Sequence, residues 1–151
     1  MLPKYHILIG AIFSLLLFFF FKLSFTYSFL FFLSSVLIDV DHYFYYIFNN
    51  RNLSLSKAYR FFVNSEKKWF KLSIEERKKY KRTIFYFHGI EFLIPFTILS
   101  FIFNIFLPIL FGFLLHIAVD LIELYYYHEP LYSKTLQIYV CITNKKKKKL
   151  K

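Results

Sequence analysis

Long uncharged stretches alternate with short basic ones along this chain. Charge-free runs cover residues 5–21 and 23–38, and residues 83–119 contain Glu91 as their only charge. A helix needs about 20 apolar residues to cross a bilayer core about 30 Å thick. The third run is long enough for two such helices. Its Asn and Pro residues at 104–108 predict the turn of a helical hairpin.

The pattern therefore predicts an all-α fold: an integral membrane four-helix bundle formed by residues 1–130. Its spans lie at about 5–21, 23–40, 84–103 and 106–122. A kink is expected near Pro95, because proline removes a helical hydrogen bond. A signal peptide is the alternative for the first run. No small-x-small cleavage site follows Lys22, so we interpret the run as a retained span.

A basic insertion, residues 49–82, separates the second span from the third. It holds eleven Lys and Arg residues against three Glu. Apolar residues at helical spacing predict two amphipathic helices at about 54–70 and 73–82. Ser73 and Glu76 have the spacing of a capping box, in which each side chain satisfies a backbone donor of the other residue.

Residues 131–151 form a basic C-terminal tail. Just before it, His128 and Glu129 precede Pro130 in a polar turn, where we expect both to be solvated. Cys141 is the only cysteine, which excludes an intramolecular disulfide and a cysteine-based zinc site.

The distribution of charge predicts the orientation in the membrane. The chain has a net charge of +11 and is 58% hydrophobic, above the 45–50% or so of soluble domains. With four spans, nineteen of the twenty Lys and Arg residues lie on the side of the insertion and both termini, and only Lys22 lies opposite. Basic loops stay in the cytoplasm. We therefore predict a multi-pass cell-membrane protein with both termini cytoplasmic.

The same asymmetry accounts for the net charge without nucleic acid, so no nucleic-acid partner is expected. Membrane lipids are the expected partners. We expect the Lys-rich insertion and tail to attract anionic headgroups, at up to about 1 kcal/mol for each Lys near the surface.

Eight titratable side chains converge on one layer of the predicted bundle, at the cytoplasmic ends of its spans. They are His6, Asp39, Asp41, His42, His88, Glu91, His116 and Asp120. All of them except Glu91 are the predicted metal ligands. A spacing of four places His116 and Asp120 on one helix face. A spacing of three does the same for Asp39 and His42. Imidazoles and carboxylates from facing helices form the metal sites of helical bundles, so these residues predict a divalent metal site.

Nitrogen and oxygen ligands are typical of Zn²⁺, Mn²⁺ or Fe²⁺, of which we expect Zn²⁺ or Mn²⁺. Seven residues exceed the needs of one tetrahedral ion. Either two ions bind, or some residues orient the ligands through their second ring nitrogen. A pair of ions suits phosphoester hydrolysis. We predict Glu91, alone in an apolar helix, as the general base, and Asp120 as a second catalytic residue.

A purely structural interpretation is open for each of these residues. Asp39 and Asp41 can mark the point where a membrane helix meets water, and His6 and His42 can lie among lipid headgroups. Intramembrane acids nevertheless carry a desolvation cost that usually reflects a function.

The order of these motifs resembles the YdjM-type inner-membrane family. The resemblance rests on His6, residues 37–42 (Leu-Ile-Asp-Val-Asp-His), His88 and residues 116–120 (His-Ile-Ala-Val-Asp), and covers about 5–48 and 83–122. Members are regarded as metal-dependent hydrolases distantly similar to zinc-dependent phospholipase C. The resemblance implies hydrolysis of phosphoesters or lipid headgroups at the cytoplasmic leaflet.

The third motif departs from the family pattern, His-Arg-x-x-Thr-His-Ser. Here only its second histidine is matched, by His88, and Glu91 follows three residues later. The missing histidine and arginine leave a non-catalytic metal-binding or regulatory membrane protein as the alternative. An ion pathway is disfavoured, because the outer halves of the spans offer only Ser, Thr and Asn as polar residues.

Overall fold

The apolar stretches fold into helices, and the boundaries of these helices place the polar residues. The computed structural model describes residues 3–150. Its helices are α1 (Pro3–Phe19), α2 (Phe25–Leu37), α3 (Val40–Asn50), α4 (Leu55–Lys71), α5 (Ile74–Arg77), α6 (Ile90–Ile102), α7 (Leu107–Tyr126), α8 (Tyr132–Thr135) and α9 (Gln137–Asn144). Residues 3–150 contain no strand, which confirms the all-α class for the part described.

Helix α2 packs against both α1 and α7, and small residues let the backbones approach closely. A Cβ atom added to Gly112 of α7 would lie 2.5 Å from the carbonyl oxygen of Phe31 and 3.0 Å from the backbone nitrogen of Ser35. His116 lies one helical turn beyond Gly112. Its Nδ1 reaches the carbonyl oxygen of Ser35 at 2.7 Å, so this close contact positions a predicted ligand.

Two helices that contain predicted spans are shorter than predicted. Helix α2 ends at Leu37, and a turn through Asp39 leads into α3. Helix α6 begins at Ile90 rather than near residue 84, because Gly89 before it is extended (φ −79°, ψ 153°). Residues 84–89 instead fold towards α3, where the Phe87 amide donates to Asp41.

The insertion also differs from prediction at its C-terminal end. Helix α5 ends at Arg77, five residues before the predicted end. Its capping box is confirmed: the Ser73 amide donates to Glu76 Oε2 at 2.8 Å, and the Glu76 amide donates to Ser73 Oγ at 3.3 Å. After the helix the chain pairs with the tail: the Lys81 amide donates to the Lys148 carbonyl oxygen, and the Lys148 amide donates to that of Lys79.

Glu129 is buried, and the expectation that it is solvated is wrong. Trp69 Nε1 donates to Glu129 Oε1 at 2.7 Å. Arg77 Nη1 donates to the same oxygen at 3.1 Å, and Arg82 Nη1 donates to Oε2 at 2.6 Å. Two guanidinium groups make a buried carboxylate tolerable. Glu129 thereby joins the insertion to the C-terminal end of α7.

The described part of the tail, residues 131–150, contacts residues 82–91. The Asn144 side chain hydrogen bonds to the backbone of Arg82, and the Gln137 side chain accepts from the Phe85 amide. Lys151 and residues 1–2 lie outside the described residues.

Within residues 3–150, one helical stretch, Asn104–Tyr126, is long and apolar enough to cross a membrane. Pro3–Phe19 and Ile90–Ile102 are apolar but shorter. Core helices of soluble proteins can have the same length and composition. The four-span organisation therefore stays a prediction.

We expect Gly112→Ala to destabilise the protein by about 1–3 kcal/mol, because the new methyl group meets backbone atoms that cannot rotate away. Gly10→Ala is the matched control, since its methyl group would meet side-chain atoms of Ser35 and Phe32 rather than backbone. Thermal unfolding followed by circular dichroism measures both. Equal losses of stability would contradict the backbone contact as the cause.

Candidate metal centre

The structure brings all seven predicted ligand residues together. Three overlapping groups each keep their ligand atoms within 4.8 Å of one another. The groups are Asp39, Asp41, His42 and His88; His6, Asp39 and His116; and His88, His116 and Asp120. Each residue lies at a helix start, on a helix face or in a turn of the fold, so the convergence follows from the tertiary structure.

The centre of the cluster is the pair His88 and His116. Their Nε2 atoms are 3.2 Å apart, and both side chains are fully buried. Asp39 Oδ1 lies 3.4 Å from each Nε2. Asp120 Oδ2 lies 3.5 Å from His88 Nε2 and 3.4 Å from His116 Nε2. Two triangles of ligand atoms thus share the edge between the two imidazoles.

The outer nitrogen of each imidazole is already used as a donor. His116 Nδ1 lies 2.7 Å from the Ser35 carbonyl oxygen, which can only accept a hydrogen bond. His88 Nδ1 lies 3.1 Å from Asp41 Oδ2. Hydrogen bonds of this kind orient metal-binding histidines in proteins. Both Nδ1 atoms therefore carry a proton, and an imidazole without a second proton would turn the lone pair of Nε2 inward.

A cation between the two Nε2 atoms would satisfy their lone pairs and the nearby carboxylates. With neutral imidazoles, the carboxylates of Asp39, Asp41 and Asp120 and the ammonium of Lys134 leave a formal charge of minus two in the cluster. One divalent ion balances that charge. In a tetrahedral zinc site, ligands about 2.0–2.1 Å from the metal are about 3.3 Å from one another. The edges of 3.2–3.5 Å fit that spacing.

His6 completes the buried side of the cluster. Its ring stacks on His116, with centroids 3.8 Å apart and planes 12° apart. Its Nε2 lies 3.4 Å from Asp120 Oδ1, which is long for a hydrogen bond. Among the described residues, this buried nitrogen has no hydrogen-bond partner. A buried polar atom without a partner is costly, and a bound ion would provide one.

Asp41 and His42 form the outer part of the cluster. His42 Nδ1 lies 2.9 Å from Asp41 Oδ1, and the ring of His42 stacks on Phe85 at 3.7 Å. Burial alone would raise the pKa of Asp41, but hydrogen bonds from His42 and His88 outweigh burial and lower that pKa to about 2. Burial lowers the pKa of His42. Asp41 is thus ionised and suited to hold His88 in place.

Lys134 was not predicted from the sequence, where it resembles the other lysines of the basic tail. Its Nζ lies 2.6 Å from Asp120 Oδ2, and its side chain is 13% exposed. Burial alone would lower the pKa of Lys134, but the charge of Asp120 outweighs burial and raises that pKa. The ammonium therefore stays charged beside a predicted ligand.

Glu91, the predicted general base, belongs to none of the three groups. Its Oε1 accepts a hydrogen bond from the Ile138 amide at 2.8 Å, and its carboxylate lies against Gly89. Helix α6 turns Glu91 towards α9, whereas His88 precedes the helix and points into the cluster. The spacing of three residues would place both side chains on one face only if the helix began before His88.

Comparison with known proteins identifies no relative of this chain. No protein-family model, no curated protein and no solved structure matches the chain. Its functional assignment therefore depends on the geometry of the cluster.

We expect His116→Ala to weaken binding of Zn²⁺ or Mn²⁺ by at least about 100-fold, because a ligand is lost. Asp41→Asn is expected to weaken binding by about 10–100-fold, the usual effect of losing a residue that orients a ligand. Glu91→Gln should leave the metal content unchanged. Metal analysis of the purified protein after dialysis measures all three. A wild-type protein that retains no metal would contradict the site.

Proposed function

We propose that this chain is a membrane-embedded, metal-dependent hydrolase that acts on phosphoesters or lipid headgroups at the cytoplasmic leaflet. The observation that carries the proposal is the buried convergence of two imidazole nitrogens and two carboxylates, with Nε2 atoms of His88 and His116 only 3.2 Å apart. Buried groups of this kind, whose charges are not balanced within the protein, are typical of functional sites.

In this proposal His88, His116, Asp39 and Asp120 hold the ion. The Ser35 carbonyl and Asp41 orient the imidazoles. A divalent ion held there would polarise a phosphoryl oxygen and lower the pKa of a water molecule. This chemistry needs a nucleophile, an electrophile and a proton acceptor close together.

Asp39 is the carboxylate of the cluster that is most open to water. Its side chain is 16% exposed, whereas those of Asp41 and Asp120 are 5% and 1% exposed. As a ligand, Asp39 would therefore hold the ion on the side from which water or substrate can approach. Glu91, held by Ile138, is not part of the proposed chemistry.

The exposed surface supports a location in the membrane. Large apolar side chains are exposed at the turn after α1, where Phe20 is 78% and Phe21 71% exposed. They are also exposed at the C-terminal end of α6, where Phe101 is 74% and Ile102 66% exposed. Exposed apolar patches of this kind mark membrane or protein interaction sites. We propose that lipid covers these surfaces.

The proposed topology has four spans and both termini in the cytoplasm. It rests on the position of nearly all Lys and Arg residues on one side and on the positive-inside rule. In this orientation the cluster faces the cytoplasmic leaflet, and the Lys-rich insertion and tail lie among anionic headgroups.

Membership of the YdjM-type family is part of the proposal and is supported by the order of its motifs. The incomplete third motif and the contact of Lys134 with Asp120 favour a second candidate, a metal-binding or regulatory membrane protein without turnover. In that case the ion would join the helices around Asp39, His88 and His116, as structural zinc ions do.

We expect the protein, purified in detergent with Zn²⁺ or Mn²⁺, to hydrolyse bis(p-nitrophenyl) phosphate or short-chain phospholipids. His116→Ala should reduce the rate by at least about 100-fold, since the ion would be lost, and Glu91→Gln should retain activity. Release of p-nitrophenol or of phosphorylated headgroups measures the rate. Stoichiometric metal without turnover of any of these esters would favour the non-catalytic candidate instead.

Cys141 gives a direct test of the topology, because it is the only cysteine and is exposed. We expect a membrane-impermeant maleimide to label Cys141 in inside-out vesicles and to leave it unlabelled in intact spheroplasts. The control combines Cys141→Ser with Lys22→Cys, which should show the opposite pattern. Labelling of Cys141 from outside would contradict the cytoplasmic position of the C-terminus.

A further inference from the structure

A cleft at the C-terminal end of α7 has the properties of a phosphate-binding site. It has a volume of about 540 Å³ and lies between the α5 region and the turn after α7. Its lining includes Arg77, Lys78, Arg82, Tyr125, Glu129 and Tyr132. None of these residues belongs to the metal cluster.

The charges that line the cleft do not balance. Arg77, Lys78 and Arg82 are cationic, and Glu129 is the only carboxylate among the lining residues of this cleft. Lys78 also pairs with Glu75, but that pair is exposed to solvent and therefore weak. Glu129 accepts hydrogen bonds from both arginines, and a single carboxylate cannot neutralise two guanidinium groups. The cleft thus has an excess of positive charge.

Arg82 has unused donors in a buried position. Its side chain is 10% exposed, and Nη1 donates to Glu129. Its Nε is buried and has no acceptor among the described residues. The guanidinium also lies over the ring of Trp69, 5.3 Å from the ring centroid, which fixes its plane. A buried donor without an acceptor is costly, so this guanidinium lacks negative partners.

Arg77, by contrast, uses all three of its side-chain nitrogens as donors. Its Nε donates to the carbonyl oxygen of Leu72, Nη2 donates to that of Phe70, and Nη1 donates to Glu129. Arg77 therefore contributes charge and holds the wall of the cleft in place. Arg82 and Lys78 are the residues left to contact a ligand.

We propose that this cleft binds a phosphate group through Arg82, with Lys78 as a second cation. A planar guanidinium matches the oxygens of a phosphate in geometry as well as charge. Tyr125 and Tyr132 border the cleft and can contact the organic part of the ligand. Free phosphate and the phosphate of a lipid headgroup share this chemistry. The proposal does not require the metal cluster, and only its lipid form depends on the membrane location.

Binding is tested with full-length protein in neutral detergent, by calorimetric titration with inorganic phosphate and with short-chain phosphatidic acid. Arg82→Lys keeps the charge but loses the planar guanidinium group, and we expect about tenfold weaker binding. Lys78→Gln should weaken binding by about two- to fivefold, as expected for an exposed charge. Lys57→Gln is the matched control: it makes the same change of charge on α4, outside the cleft, and should leave affinity unchanged.

Each result supports or overturns the proposal. Preferential binding of phosphatidic acid over phosphate identifies a lipid headgroup as the ligand, and equal affinities identify free phosphate. No binding of either compound overturns the site. Equal effects of Lys78→Gln and Lys57→Gln also overturn it, since they would indicate attraction to the overall charge. Circular dichroism verifies that each variant is folded, and metal content, read separately, tests the cluster independently.

Discussion

The burial of imidazoles and carboxylates against one another is the constraint on which this structure depends. His88 and His116 direct Nε2 atoms at each other, and the carboxylates of Asp39 and Asp120 approach the same pair. With both Nε2 atoms unprotonated, these four acceptors would repel one another in a medium of low dielectric constant. A cation bound at this position would instead link α1, the α2–α3 turn, the loop before α6 and α7. Binding of metal would then be coupled to the stability of the fold.

The close packing of α2 and α7 makes this arrangement possible. Gly112 allows the two backbones to touch, and one turn later the Ser35 carbonyl holds His116. A larger residue at position 112 would separate the helices and lengthen that hydrogen bond. Small residues outside the cluster thus affect its geometry, because the positions of the ligand atoms depend on where the helix axes lie.

The sequence predicted the helical class and the seven clustered residues, because hydrophobic runs and motif order are local features. It did not predict Lys134 or the buried state of Glu129, because their partners are distant in the chain. Lys134 meets Asp120 only after the tail folds back, and Glu129 is neutralised by Arg77 and Arg82 of the insertion. Glu91 was assigned to the site from a helix that in fact begins after His88.

Two ionic clusters with opposite excess charge thus lie beside the C-terminal half of α7. The cluster around Asp120 has excess negative charge and suits a metal ion, whereas the cleft around Arg82 has excess positive charge and suits a phosphate. A phosphoester carries negative oxygens and is cleaved by a nucleophile that attacks phosphorus, so an enzyme that cleaves it uses a cation to polarise those oxygens and further cations for binding. In the proposed function the two clusters would supply these two requirements separately, which would let the protein hold a phosphorylated headgroup without occupying the metal centre.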